Sequence, residues 1–420
     1  MRRQQRTLFD GAWARESALI LVSLALFSAC GGPSQTPVAR ARFVYALAEP
    51  EYLGEDRFAN SLIAGFRVDP ASGALTPLVD SPFDLGAPGE TFTVHPSGGY
   101  LYLLSYGSIV GVAIDPSTGR LLGAVPGSPS VTDAGRLIVS PDGQSLYGVD
   151  EILGLWGYHV DASTGALTPL PGSPFGPLHP QQYLPGTTRQ VSDVVFADMV
   201  LIPSGRALYG LGDMGLGQGY DVWAYRVNPS TGVLDNLRHL WKMDAPAESM
   251  AIEPSGRFLY LGSRTYLAGS LLPARIDAFA IDPATGNLST LPGSPFSQDP
   301  MKTNTTLIQL IADPTGQFLF ASAGPTTPIG TEDVSDIWAY AIDRVRGTLL
   351  PVPGSPFPIG QGVRNAGRAG LAFDPGGKRL YAAGCDKVHI LDVDDSGRLT
   401  PIAGSPVLLP FCSHELGVAP

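Results

Sequence analysis

Two turn signatures alternate along nearly the whole chain, and that alternation limits what it can fold into. The first is Pro-x-Gly between short apolar runs, at Pro96-Ser97-Gly98, Pro141-Asp142-Gly143, Pro203-Ser204-Gly205, Pro254-Ser255-Gly256, Pro314-Thr315-Gly316 and Pro375-Gly376-Gly377. The second ends an alternating run with Asp-Pro-x-Thr-Gly or a variant of it, led by Asp69, Asp115, Asp161, Asn228, Asp282, Asp343 and Asp394. Pro presets φ, Asp or Asn caps the turn, and Gly takes φ > 0 before the next strand. Each signature therefore reads as a hairpin. The first kind has six copies about 56 residues apart, and the second has seven.

The missing seventh copy is divided between the two ends. Phe43-Val44-Tyr45-Ala46-Leu47 matches the strand that follows a Pro-x-Gly turn. Glu415-Leu416-Gly417-Val418-Ala419-Pro420 matches the strand that precedes one, as in Gly370-Leu371-Ala372-Phe373-Asp374-Pro375. Pairing the two hides an open sheet edge, which is how a ring of blades closes. The expectation is an all-β, seven-bladed β-propeller of four-stranded antiparallel blades over 42–420, closed by the C-terminal strand in the first blade. Composition agrees: 51 Gly and 39 Pro in 420 residues oppose long helices.

Strand c of each repeat alternates. Counting back from the turn Asp or Asn, positions −1, −3 and −5 are large, as in Val227, Tyr225 and Trp223 or Ile342, Tyr340 and Trp338. Position −4 is small at Gly65, Gly111, Gly157, Ala224, Ala278 and Ala339, with Ile390 as the exception. Large residues on one face and small ones on the other suit blades that stack face to face, so these aromatics are core. The recurring Gly-Ser-Pro-Phe, as at Gly172–Phe175 and Gly293–Phe296, reads as structural because a site is needed once and a blade-edge turn many times.

Residues 1–29 read as a signal peptide. Arg2, Arg3, Arg6 and Arg15 precede an apolar run, Ala18 to Phe27, too short for an ordinary membrane span. Ser28-Ala29-Cys30 then resembles a bacterial lipoprotein signal, which implies lipidation of Cys30 and a tether over 30–41. A plain signal peptide and an uncleaved anchor stay open beside this reading. The expected address is the cell envelope, with the lipid anchor as the only membrane contact. The two other cysteines, Cys385 and Cys412, are a candidate disulfide in such an oxidising setting. A net charge of −11 without a basic run argues against nucleic acid as a partner.

The repeats resemble the YVTN-type and lactonase-like seven-bladed propellers, the group that includes bacterial 6-phosphogluconolactonase-like proteins, over roughly 42–420. The resemblance implies a lactonase with Pro-Arg-His opening an inner strand ahead of Pro-x-Gly, and Asn-Glu at the end of strand b. Here Asp150-Glu151 stands in the second place. The inner strands Ala134-Gly135-Arg136-Leu137 and Ala366-Gly367-Arg368-Ala369 lack the His, and His414-Glu415 is the nearest substitute, one position displaced.

Antiparallel connectivity puts the tight a–b and c–d turns on one face of the disc. The other face carries the variable b–c loops (48–62, 212–221, 263–276, 323–336) and d–a links (176–197, 238–248, 297–307, 358–369). Around the channel mouth on that long-loop face the inner-strand starts should place Glu90, Arg136, Asp198, Glu248, Arg368, His414 and Glu415. The leading reading is a binding or scaffolding module that takes a protein or a small polar ligand there. The alternative is a sugar-lactone hydrolase using His414, Glu415, Glu151, Arg136 or Arg368, with Glu90, Asp198 and Glu248 as ligand contacts. No cofactor or metal is implied: Asp392-Val393-Asp394-Asp395-Ser396-Gly397 mimics a calcium loop but has Ala403 where Glu is needed, and it aligns with the other c–d hairpins.

Overall fold

A computed structural model describes residues 42–420 apart from 49–51, 55–56, 133, 151–154, 176–194, 214–220, 244–246, 264–265, 268–269, 272–273, 298–304, 326–333 and 362–369. Every regular element among them is a strand. Blades 2 to 6 are separate antiparallel sheets built in chain order, for example Ala134–Val139, Ser145–Asp150, Leu155–Val160 and Leu167–Pro169 in blade 3. Blades 7 and 1 share one eight-stranded sheet, because Val407–Ala419 first pairs with the long strand Arg379–Val393 and then with Phe43–Ala48. In that second pairing Tyr45 lies opposite Gly417 and Leu47 opposite Glu415. The closure read from the two chain ends is therefore present.

The inner strands touch in a closed cycle. Thr91–Val94 contacts Ala134–Val139, which contacts Val195–Leu201, and the series continues through Ala247–Ile252, Thr305–Ala312 and Leu371–Phe373 to the tail, which returns to Thr91–Val94. Seven strands complete the cycle, one for each sequence repeat.

The turns behave as their residues require. Asp161 Oδ1 accepts from the Ser163 and Thr164 amides at 2.9 and 2.8 Å and from their hydroxyls at 2.6 and 2.9 Å. These bonds, led by the Ser163 hydroxyl, hold its carboxyl down at about 2. Gly165 closes the turn at φ +72°. Asp394 takes the same role from Ser396 and Arg398, so the calcium-like segment is a hairpin.

The Gly-Ser-Pro-Phe segments fold strand d back over strand c. In blades 1, 2, 3, 5, 6 and 7 the Ser hydroxyl accepts from the amide at position −4 of strand c, as at Gly65, Gly111, Gly157, Ala278, Ala339 and Ile390, at 2.8–3.0 Å. Position −4 lies under this fold-back and also on the face that stacks on the next blade, since Ala224, Ala278, Ala339 and Ile390 belong to cores shared with that blade. A Cβ on Gly65 would stand 2.9 Å from Leu78 and 3.0 Å from Phe83, both in its own blade.

Blades are joined by a hydroxyl latch. Tyr45, Tyr102, Tyr147, Tyr209 and Tyr260 of strand b donate to the carbonyls of Gly119, Gly165, Gly232, Gly286 and Gly347 in the next blade's c–d turn, at 2.7–2.9 Å. Burial pushes these phenols up, Tyr209 to about 12, so they stay donors. Two residues before the latch position a side chain covers the same Gly in every blade but the fourth, including Phe43 over Gly119, Tyr100 over Gly165 and Phe258 over Gly347. In blade 6 the latch residue is Phe320. In blade 7 the Tyr381 hydroxyl has no partner among the described residues, and Arg379 covers Gly73 instead.

The expected long loops are partly ordered. Strand d of blade 4 runs to Trp241, and Phe357–Gln361 pairs back onto Val334–Ile342. Short strand pairs join Tyr52–Gly54 to Arg57–Phe58 and Tyr266–Leu267 to Ser270–Leu271. Much of the remainder, including most of 176–197 and 362–369, lies outside the described residues. Cys412 is disulfide-bonded, and Cys385 lies directly opposite it across the sheet. Cys30 and the segment 1–41 lie outside the described residues.

Two outcomes are expected. Gly165→Ala should cost roughly 1–2 kcal/mol for its left-handed backbone and more for the contact, since its Cβ would fall 2.4 Å from Tyr100. Gly127→Ala, at φ +77° with nothing within 4 Å, isolates the backbone part, so the gap between the two melting temperatures measures the contact. Burial, with Lys387 nearby, pulls the partly buried His389 down to about 4. Its unfolded value is about 6.5, so the unfolded chain binds the extra proton between these values. Stability should therefore fall as pH drops from 6.5 towards 4, and His389→Gln should flatten that part of the melting curve against pH.

Candidate site at the channel mouth

Five of the seven inner strands break register at the same place. The extra residues are Gly135, Ala197, Glu248, Ile308 and His414. Each stands six residues before the Pro of the a–b turn, or before Pro420 in the tail. A bulge re-aims the side chains around it. The following residue, five before the Pro, is Arg136, Asp198, Ser249, Gln309 or Glu415, with Thr91 and Gly370 in the two remaining blades.

These side chains bind the next blade. Arg136 Nε sits 3.2 Å from Asp198 Oδ1. Asp198 Oδ1 also accepts from the Met199 amide at 2.8 Å, and Oδ2 accepts from the Met250 amide at 2.9 Å. Ser249 donates to the Leu307 carbonyl at 3.5 Å. Gln309 accepts from the Leu371 amide at 2.6 Å and donates to the Leu371 carbonyl at 3.3 Å. A polar belt thus runs from blade 3 to blade 7 at one height around the channel.

Asp198 is 4% exposed, so its carboxylate belongs to the belt, whereas the Arg136 side chain keeps 31% of its surface. The Asp198 charge holds the guanidinium even more firmly protonated than usual, against the cost of burial, and Glu415 adds to the pull. Glu415 lies on blade 1 and Arg136 on blade 3, with the inner strand of blade 2 between them, so that attraction acts across the channel mouth.

Arg136, Asp198 and Glu415 are thereby brought together. Glu90 lies in blade 2 just before its inner strand, and its carboxylate helps burial push the Tyr106 phenol up. Glu248 and His414 are the extra residues of their bulges, and their side chains lie outside the described set. Glu151 and Arg368 lie outside the described residues. Sequence reasoning missed Ser249 and Gln309. Part of the signal was visible, a polar residue five places before the turn Pro in six of the seven inner strands with Gly370 the exception, but the bulge that aligns them was not.

No protein-family model matches the sequence, and comparison with curated proteins gives no match. Solved structures do match. A candidate 6-phosphogluconolactonase from Bacteroides uniformis superposes with TM-score 0.60 at 18% identity, over 90% of this chain and 99% of that one. A second, from Bacteroides fragilis, gives 0.61 at 16% identity over 93% and 100%. The periplasmic gluconolactonase of Pseudomonas aeruginosa gives 0.58 at 18% identity over 88% and 99%. The fold is a β-propeller, shared with these proteins. The described inner strands carry Arg136 and Asp198 without the Arg-His pair that the resemblance implied.

Removing the Asp198 carboxylate should leave Arg136 and two strand amides unpaired. Asp198→Ala is expected to lose about 3 kcal/mol or more by urea unfolding. Asp198→Asn, which keeps an oxygen acceptor, should lose less.

Proposed function

We propose that the chain opens a sugar lactone at the mouth of its channel. The observation that carries this reading is Arg136, pinned by Asp198 and drawn towards Glu415 across the channel, on a scaffold shared with proteins described as lactonases.

Water adds to the lactone carbonyl while Glu415 takes its proton. The tetrahedral oxyanion forms against the Arg136 guanidinium, a preorganised donor. Collapse breaks the ring C–O bond, and the proton on Glu415 passes to the leaving alkoxide. The product is an open hydroxy acid. Asp198 acts through Arg136 and is a positioning residue. No cofactor is called for.

The amino-terminal pattern supports export with lipidation at Cys30, and a disulfide-bonded Cys412 fits an oxidising compartment. The binding-module reading through the long-loop face is the outcome if lactones are not turned over.

The test is hydrolysis of gluconolactone and 6-phosphogluconolactone above the spontaneous rate. Glu415→Gln should lower kcat by roughly 10²–10⁴, and Arg136→Ala by roughly 10²–10³, with melting temperature checking the fold. No turnover above buffer, or turnover untouched by both changes, overturns the reading.

A further inference from the structure

The seven joints between blades invite comparison with one another, and one differs. Where strand b meets the next blade's c–d turn, the glycine is covered by Phe43, Tyr100, Phe258, Phe318 or Arg379 in blades 1, 2, 5, 6 and 7. Blade 4 has Ala207 there, and Arg238 takes over the place by donating to Thr285 at 2.8 Å and Asn287 at 3.0 Å. Between blades 3 and 4 the covering residue is only Ser145, and a cavity of about 260 Å³ opens beside it.

A second change falls at the same joint. The c–d turn of blade 4 is led by Asn228 rather than Asp. In other copies the turn carboxylate captures the neighbouring hydroxyls, as Asp115 captures Ser117 and Asp282 captures Thr285. Asn228 accepts from the Ser230 amide at 2.9 Å, and the Ser230 hydroxyl has no partner among the described residues. Thr231 Oγ1 accepts one long bond from Val233, at 3.4 Å. Both hydroxyls line the cavity.

The remaining lining sets the chemistry. Tyr147 and Leu170 are buried beneath it, while Asp142 and His159 are exposed. Among the described residues no Lys or Arg lines the cavity, so a phosphate or carboxylate ester finds no counter-charge from them. Hydroxyls, one carboxylate and an imidazole match a small neutral ligand that carries many hydroxyls. The volume lies just below the usual ligand range of about 300–1,000 Å³, which limits the occupant to a single ring. We propose that this cavity, on the tight-turn face opposite the channel-mouth site, binds one neutral sugar ring of hexose size.

The test is ligand-observed NMR of the full chain with glucose, galactose and mannose, each beside its 6-phosphate. Saturable binding of at least one neutral hexose in the millimolar range, with its 6-phosphate weaker, is expected. Ser145→Phe installs the residue that blades 1, 5 and 6 use and should fill the cavity, weakening that binding roughly tenfold or more. Absence of binding by all three hexoses, or binding unchanged in Ser145→Phe, overturns the proposal. If Ser145→Phe fails to fold by its melting curve, His159→Ala decides. That exposed side chain carries no strand pairing, so weakened binding supports the site and unchanged binding overturns it.

Discussion

A tyrosine hydroxyl given to the carbonyl of a left-handed glycine in the next blade sets the registration at five of the seven joints of this ring. The hydrophobic cores lie between adjacent blades, as where Tyr260 and Ala278 of blade 5 meet Leu307, Trp338 and Tyr340 of blade 6, and apolar contact alone does not specify the offset of one blade from the next. The latch does, since its donor sits mid-strand and its acceptor sits in a turn whose geometry only glycine meets easily. The glycine must also be flat against its neighbour: a Cβ on Gly119 would lie 2.4 Å from Phe43. One residue type therefore satisfies the turn, the contact and the registration together.

With the offsets fixed, residues at equal distance from each turn stand at equal height on the channel wall. That is why a bulge repeated at one position gives a belt rather than scattered polar groups. Buried polar groups are costly unless paired, and the belt pairs them by sending each side chain to the next blade. Arg136 keeps 31% of its side-chain surface in contact with solvent, which is where chemistry can reach it.

The fold was legible because its turns are written in residues with few alternative uses. Pro, Gly and the capping Asp declare hairpins, and Glu415–Pro420 matched a strand whose turn lay at the other end of the chain. The site was legible only in part. Arg136, Asp198 and Glu415 stood out as charges at strand starts, but a bulge leaves no mark in residue type, so the register that joins them to Ser249 and Gln309 was hidden. The small residues at position −4 were recognised as facing a stacked blade, but not as lying under their own strand d, because the fold-back of Gly-Ser-Pro-Phe depends on a serine hydroxyl whose reach the sequence does not state. The latch tyrosines were visible only as apolar strand residues, since a phenol in a strand looks the same whether or not its oxygen is engaged.

The closing strand has a consequence for how the molecule is made. Val407–Ala419 follows every other strand in the sequence, yet it supplies the inner edge of the first blade. During synthesis, Phe43–Ala48 must wait with one edge unpaired until Val407–Ala419 emerges, so the circle closes only after every other strand has been made. The joint that closes it is also one where the Tyr381 hydroxyl finds no partner among the described residues. The covalent tie at Cys412, beside Cys385, lies a few residues upstream of that final pairing and can hold the late-arriving segment next to its seat.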